Sequence, residues 1–163
     1  MINDKVGFLT IVECGENSWA GGYLVTDLRG NPADGKSAFC YTQKAVTLSR
    51  LQVILLGKAL KRYVFCDLIA KTLLAESVTQ VSAVLCDRVE GCHLRELVDI
   101  PVGAWVEGKL LPHERYRQKD DPVLNSVRER LDLIDGPLEV FVRVREAMRF
   151  AQANGGLPPP SRE

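Results

Sequence analysis

The sequence predicts an α+β fold, with an antiparallel sheet of four or five strands and helices packed mainly on one face. Three observations carry that expectation. Short apolar runs rich in β-branched and aromatic residues fill the N-terminal region, each bounded by turn residues. A long stretch of helical periodicity comes next. Amphipathic segments joined by a charged connector make up the rest. At 163 residues the chain suits one domain, 1–154, and its end, 155–163, is a Pro-rich tail that cannot bury a core and is expected to be disordered.

Val6 to Val12 is the first strand, and Gly15, Glu16, Asn17 and Ser18 turn it. Gly22 to Leu28 is the second. Asn31-Pro32 and Asp34-Gly35 are turn dipeptides, and Ser37 to Thr42 is the third strand. Short connections of this kind favour an antiparallel meander. Thr47 or Ser49 caps a helix with Leu51, Ile54 and Leu55 among its apolar positions, and Gly57 interrupts it. Lys58 to Glu76 is strongly helical. Ala59, Tyr63, Cys66, Ala70, Leu73 and Leu74 form one apolar arc, and Leu60, Val64 and Leu68 a second. Val81 to Asp87 is a fourth strand and Ile100 to Val106 a short fifth. Glu107 to Asp121 reads as a solvated loop. Asp121-Pro122 starts a helix along which Leu124, Val127, Leu131 and Ile134 make a stripe, ended by Gly136. Residues 137–153 fit a strand through Val140, Val142 and Val144. Pro137 at the start and Asn154-Gly155 at the end favour a helix.

Composition narrows the function. Lysines plus arginines number 21 and acids 21, so net charge is zero, which argues against a nucleic-acid partner. No apolar run reaches the roughly 18 residues of a membrane span, and Met1 to Val6 lacks a signal-peptide layout. The expectation is a cytoplasmic protein with no membrane partner. The five cysteines, Cys14, Cys40, Cys66, Cys86 and Cys92, show no disulfide framework and are expected to be reduced.

Gly30-Asn31-Pro32-Ala33-Asp34-Gly35-Lys36-Ser37 matches the phosphate-binding pattern G-x-x-x-x-G-K-[ST]. In that reading Gly35, Lys36 and Ser37 would hold ATP or GTP with Mg²⁺, and Asp87 would supply the metal-side carboxylate. The mechanism needs a helix directly after the loop, whereas Ala38 to Thr42 reads as a strand. Pro32 also removes an N–H donor. A hairpin is the preferred reading. Gly21-Gly22-Tyr23-Leu24-Val25-Thr26-Asp27, Gly30-Asn31-Pro32, Arg50-Leu51-Gln52 and Gly57-Lys58-Ala59-Leu60 together resemble a family of uncharacterised bacterial proteins, over the first half of the chain. In that family the turn after Gly-x-Pro is short and leads into another strand, and this chain departs from it by carrying Asp34-Gly35-Lys36-Ser37 there. The resemblance implies a lengthened hairpin turn. It brings no activity.

Two other groups stand out. Cys86, Cys92 and His93 are an alternative metal or thiol site, without the four-ligand spacing of a structural zinc. They lie in a segment crowded with Asp87, Arg88, Glu90, Arg95 and Glu96. On the Lys58–Glu76 helix, Asp67 and Lys71 stand i,i+4 apart, and Phe65 falls inside the polar strip at 100° per residue. That predicts a partner surface including Phe65, Asp67 and Lys71, used by a protein partner or a homodimer. The leading expectation is therefore a small interaction or accessory protein without catalysis and without a cofactor.

Overall fold

The computed structural model describes residues 4–33, 38–77, 79–132 and 136–153. Strand β1 (Lys5–Gly15) and strand β2 (Ser18–Asp27) form a long antiparallel hairpin, turned where Asn17 takes φ 55°, a conformation Asn tolerates better than most residues. Strands β3 (Phe39–Tyr41) and β4 (Val46–Thr47) both pair antiparallel with β2. Strand β5 (Ala83–Cys86) lies parallel to β1, and β6 (Val102–Val106) lies parallel to β5. Strand β7 (Lys109–Pro112) returns antiparallel along the edge. The order is β3-β2-β1-β5-β6-β7, with β4 beside β2.

The α+β class stands, but the expected sheet is corrected. Among the described residues it has seven strands and is mixed, with helices on both faces. Parallel neighbours need a crossover connection: the long helical stretch between β4 and β5 leads to the β1–β5 pair, and residues 87–101, with a 3₁₀ helix, connect β5 to β6. The near-continuous apolar runs of β1 and β5 are what strands covered on both faces require. Alternation divides them: Leu9, Ile11, Val84 and Cys86 join one core cluster, and Val6, Phe8, Ala83 and Leu85 the other. The unforeseen strand β7 comes after a two-residue turn at Glu107 (φ 52°) and Gly108 (φ 77°), the left-handed pair that suits a tight hairpin.

On the first face lies a helical stretch wound in several ways. Helix α1 (Arg50–Leu56) is followed by a 3₁₀ turn (Gly57–Ala59), the short α2 (Leu60–Arg62), a π-helical run (Tyr63–Ala70) and α3 (Lys71–Glu76). Val64, Phe65, Cys66, Ile69, Ala70 and Leu73 are buried against the sheet. Phe65 is 1% exposed and meets the Trp19 ring edge-on at 6.4 Å between centroids. The partner surface expected at Phe65 is therefore wrong. Phe65, Ile69 and Leu73 recur at i, i+4 and i+8 and are all buried, so Phe65 belongs to an inward face that the two arcs drawn from the sequence leave out. Asp67 and Lys71 are exposed, and among the described residues no ion pair joins them.

On the second face lie α4 (Arg117–Asp132) and α5 (Gly136–Ala153), with Phe141 edge-on to Phe8 at 5.5 Å. Residues 137–153 are thus helical. Helix α4 begins earlier than Asp121-Pro122 suggests and carries Pro122 inside it. The stretch read as a solvated loop folds because Asp120, fully buried, is held by a tertiary ion pair with Arg95. The tail, 155–163, lies outside the described residues, as does Ile134 of the α4 stripe.

Candidate functional site

A 3₁₀ helix, Val89–Glu96, comes after β5, and a second, Glu114–Tyr116, after β7. Leu94, fully buried, anchors the first of these to the sheet. Between the two helices sits a connected polar group. His93 Nδ1 and His113 Nε2 each lie 2.9 Å from the same Glu96 oxygen, Oε2. The two imidazoles stand edge to face at 5.4 Å, and His113 meets the Tyr116 ring at 5.3 Å. Tyr116 in turn lies under the Arg95 guanidinium, 4.1 Å from its centroid. Arg95 Nε donates to Asp120 Oδ2 at 2.8 Å, and its Nη1 donates to the Val98 carbonyl at 3.0 Å. Arg95 is 4% exposed and Asp120 not at all.

The hydrogen bonds decide what this group can do. The donor atoms of His93, Glu96 and His113 lie within 4.8 Å of one another, a spacing a divalent ion could bridge. His113 argues against it. Its Nδ1 caps the second 3₁₀ helix by accepting from the Arg115 N–H at 3.1 Å. A neutral His113 therefore keeps its proton on Nε2, the atom a metal would need bare. Ligating histidines use the opposite arrangement, donating from the far nitrogen. The trio is better described as one carboxylate receiving two imidazole N–H groups. Those bonds, from His93 and then His113, hold the Glu96 carboxyl down at about 2. A carboxyl lowered on folding adds stability above its ordinary value of 4.5, and that contribution is lost as pH falls from 4.5 toward about 2. A carbon-detected NMR titration should place Glu96 near 2. An ordinary midpoint near 4.5 would mean that the imidazoles do not donate to it.

No family model and no curated protein matches the chain. The chemistry of the residues themselves is therefore the guide to the site. Cys86 is sealed in β5 against Gly91, and burial pushes its thiol well up. Cys92 is half-buried, and its thiol is raised by burial too. His93 turns to Glu96, and the ligand-type cluster found among the described residues joins His93, Glu96 and His113 without Cys86 or Cys92. Burial also pushes Cys40 and Cys66 up to about 12, and none of the five cysteines is in a disulfide. Thiolate chemistry at neutral pH has no support among them.

Asp87, at the end of β5, accepts from the Ile11 N–H at 3.3 Å and from Arg145 Nη1 on α5 at 2.9 Å. It ties β1 to α5, and burial raises its carboxyl. Gly35, Lys36 and Ser37 lie outside the described residues. The chain before them turns at Asp27, whose carboxylate accepts from the N–H groups of Arg29 and Asn31 at 2.8 and 3.0 Å. After them comes β3, a strand, where nucleotide binding needs a helix N-terminus.

Lys71 lines a cavity of about 560 Å³ with Tyr23, Leu74, Val81, Val98 and Ile100. Burial raises the Tyr23 hydroxyl, so this mostly apolar space brings together no acid–base pair poised for neutral pH. The remaining feature is α1. Ser49 and Gln52 cap it reciprocally, Ser49 Oγ accepting from the Gln52 N–H at 3.2 Å and Gln52 Oε1 from the Ser49 N–H at 2.8 Å. This well-formed helix buries none of its residues. Leu51, Ile54 and Leu55, at i, i+3 and i+4, are 64%, 62% and 75% exposed.

His93 and Glu96 were visible in the sequence only as members of one charged segment. His113, Arg95 with Asp120, and Tyr116 were missed, because their contacts join segments far apart in sequence. The exposed face of α1 was missed because an apolar helical pattern ordinarily signals burial.

Proposed function

We propose that this chain is a small, non-catalytic binding protein, an accessory component of the cytoplasm, that docks through the outer face of α1. The exposed Leu51, Ile54 and Leu55 on a capped helix carry the reading. Single exposed apolar side chains are ordinary, but three on one face form a contiguous patch of the kind that marks an interaction surface. The inner side of the same stretch is already used, since Val53, Leu56 and Leu60 pack against the core. The outer face is thus presented, not merely left over from loose packing. The weakness of the catalytic alternatives supports the same view: the thiols are raised, Asp87 is tied to Arg145, and Glu96 is occupied by two imidazoles.

The test compares the wild type with the Leu51→Glu/Leu55→Glu variant. Both side chains already face water, so unfolding stability should change by no more than about 0.5 kcal/mol for each. In gently broken cells the tagged wild-type chain should travel in a larger particle or with the particulate fraction, and the variant as a free monomer. If both travel as free monomers, the docking reading is overturned.

A further inference from the structure

The docking reading names a surface without its occupant, and the charges around α1 narrow the choice. From residue 35 to 66 the sequence contains no Asp or Glu, although the whole chain is neutral. The cations in that span are Lys36, Lys44, Arg50, Lys58, Lys61 and Arg62. Arg50, Lys58, Lys61 and Arg62 are exposed, and among the described residues none of the four is in an ion pair. From Arg50 to Arg62, through α1, the 3₁₀ turn and α2, no residue is buried. At Gly57 the backbone takes φ 52°, which ends α1 and starts a new turn carrying Lys58 and Lys61. The result is an apolar tip of Leu51, Ile54 and Leu55 with cations on either side of it along the chain.

Resting on the docking reading, we infer that this tip lies on a membrane surface rich in anionic headgroups. A basic helical stretch, here Arg50 to Arg62, with an outward apolar face and no acidic residue is the pattern of an element that lies in the interface plane. A second copy of this chain fits poorly, because a two-fold contact sets this acid-free patch against itself and offers Arg50, Lys58, Lys61 and Arg62 no carboxylate from residues 35 to 66. A protein partner is disfavoured by the residue types. Binding hot spots are enriched in Trp, Tyr and Arg and poor in Leu, and Lys is depleted at protein interfaces. Here the apolar tip is Leu and Ile, and two of its four flanking cations are Lys. The sequence expectation of no membrane partner rested on the lack of a spanning run. Among the described residues no helix is long and apolar enough to cross a membrane, but lying on the surface needs no span.

The test uses the purified full chain in vesicle flotation, with phosphatidylglycerol-rich and pure phosphatidylcholine vesicles at low and high salt. The expected result is flotation with the anionic vesicles only, weakened by salt. Lys58→Gln and Lys61→Gln should each weaken binding by about fivefold. Leu55→Glu should abolish it while leaving the unfolding midpoint in place. Flotation with neither vesicle, or equal flotation with both, overturns the lipid inference. If no vesicle binds but the wild-type chain still travels in a larger particle that Leu51→Glu/Leu55→Glu abolishes, the face takes a protein and the docking reading stands. If that particle is absent as well, both readings fall.

Discussion

Replacing Asp120 by Ala is expected to destabilise the fold by about 3–5 kcal/mol, the usual cost of removing one partner from a buried ion pair. Asp120 is fully buried, and Arg95 is 4% exposed. Without the carboxylate, the guanidinium keeps the Val98 carbonyl and the face of Tyr116 but loses its buried counter-charge. Asp99, 3.7 Å from Arg95 Nη1, has its side chain 93% exposed and cannot supply the missing charge in the interior. At roughly 2–4 °C per kcal/mol for a domain of this size, Tm should fall by about 6–20 °C. Urea unfolding followed by circular dichroism measures the loss. The double variant Arg95→Met/Asp120→Leu should recover much of it, because an apolar pair carries no desolvation penalty. A cost below about 1 kcal/mol for Asp120→Ala, the level of an exposed pair, would show that water reaches the site.

The same substitution tests how the polar group is held together. Asp120 belongs to α4 and Arg95 to the 3₁₀ helix that also carries His93 and Glu96. Tyr116, with the Arg95 guanidinium over its face and His113 edge-on to it, links the two segments. Breaking the ion pair removes the tie that sets their distance. In a folded Asp120→Ala protein the Glu96 titration should move back from about 2 toward 4.5. An unmoved Glu96 would show that Tyr116 and His113 hold the arrangement alone.

How far the sequence reveals this molecule depends on the range of the interactions involved. Strands β1, β2 and β5 were readable because Val6 to Val12, Gly22 to Leu28 and Val81 to Asp87 are apolar runs with local turn signals. Their direction was not, since an apolar run carries no mark of parallel or antiparallel pairing. The long helical crossover before β5 held that information. Strand β7 was missed because Lys109 to Pro112 is half exposed and short. The start of α4 was missed because Arg117 to Asp121 is charged or polar throughout, and only the contact between Asp120 and Arg95, 25 positions apart in sequence, makes a helix there worthwhile. The polar group divides in the same way. His93 and Glu96 are neighbours on one turn, whereas His113 arrives from beyond two strands. The apolar pattern of α1 was visible in the sequence, but which of its sides meets the core is set by tertiary packing.

The second large effect is expected at Phe65, where Phe65→Ala should cost about 3–5 kcal/mol, as for a large aromatic removed from a core. A wheel drawn from Lys58 at 100° per residue puts Phe65 among Lys61 and Arg62. The chain does not obey that wheel. It passes through the 3₁₀ turn at Gly57–Ala59 and then winds as a π-helix from Tyr63 to Ala70. Phe65 is turned inward together with Ile69 and Leu73, at i+4 and i+8, and all three are buried. There it meets Trp19 edge-on and lies beneath the Arg88 guanidinium, 5.8 Å from the ring centroid. Arg88 also donates from Nε to the Ile11 carbonyl at 3.2 Å, so the ring is enclosed between the sheet and the chain leaving β5. A cavity beside Trp19 should shift its emission to the red, read with Trp105→Phe as background. The contrast with α1 gives the sharpest comparison: Phe65→Glu should prevent folding, whereas Leu55→Glu, ten residues earlier on the same helical stretch, should leave Tm nearly unchanged. Urea unfolding of Phe65→Ala within about 1 kcal/mol of the wild type, the average for an arbitrary substitution, would place Phe65 outside the core and restore the regular helix that the sequence alone suggests.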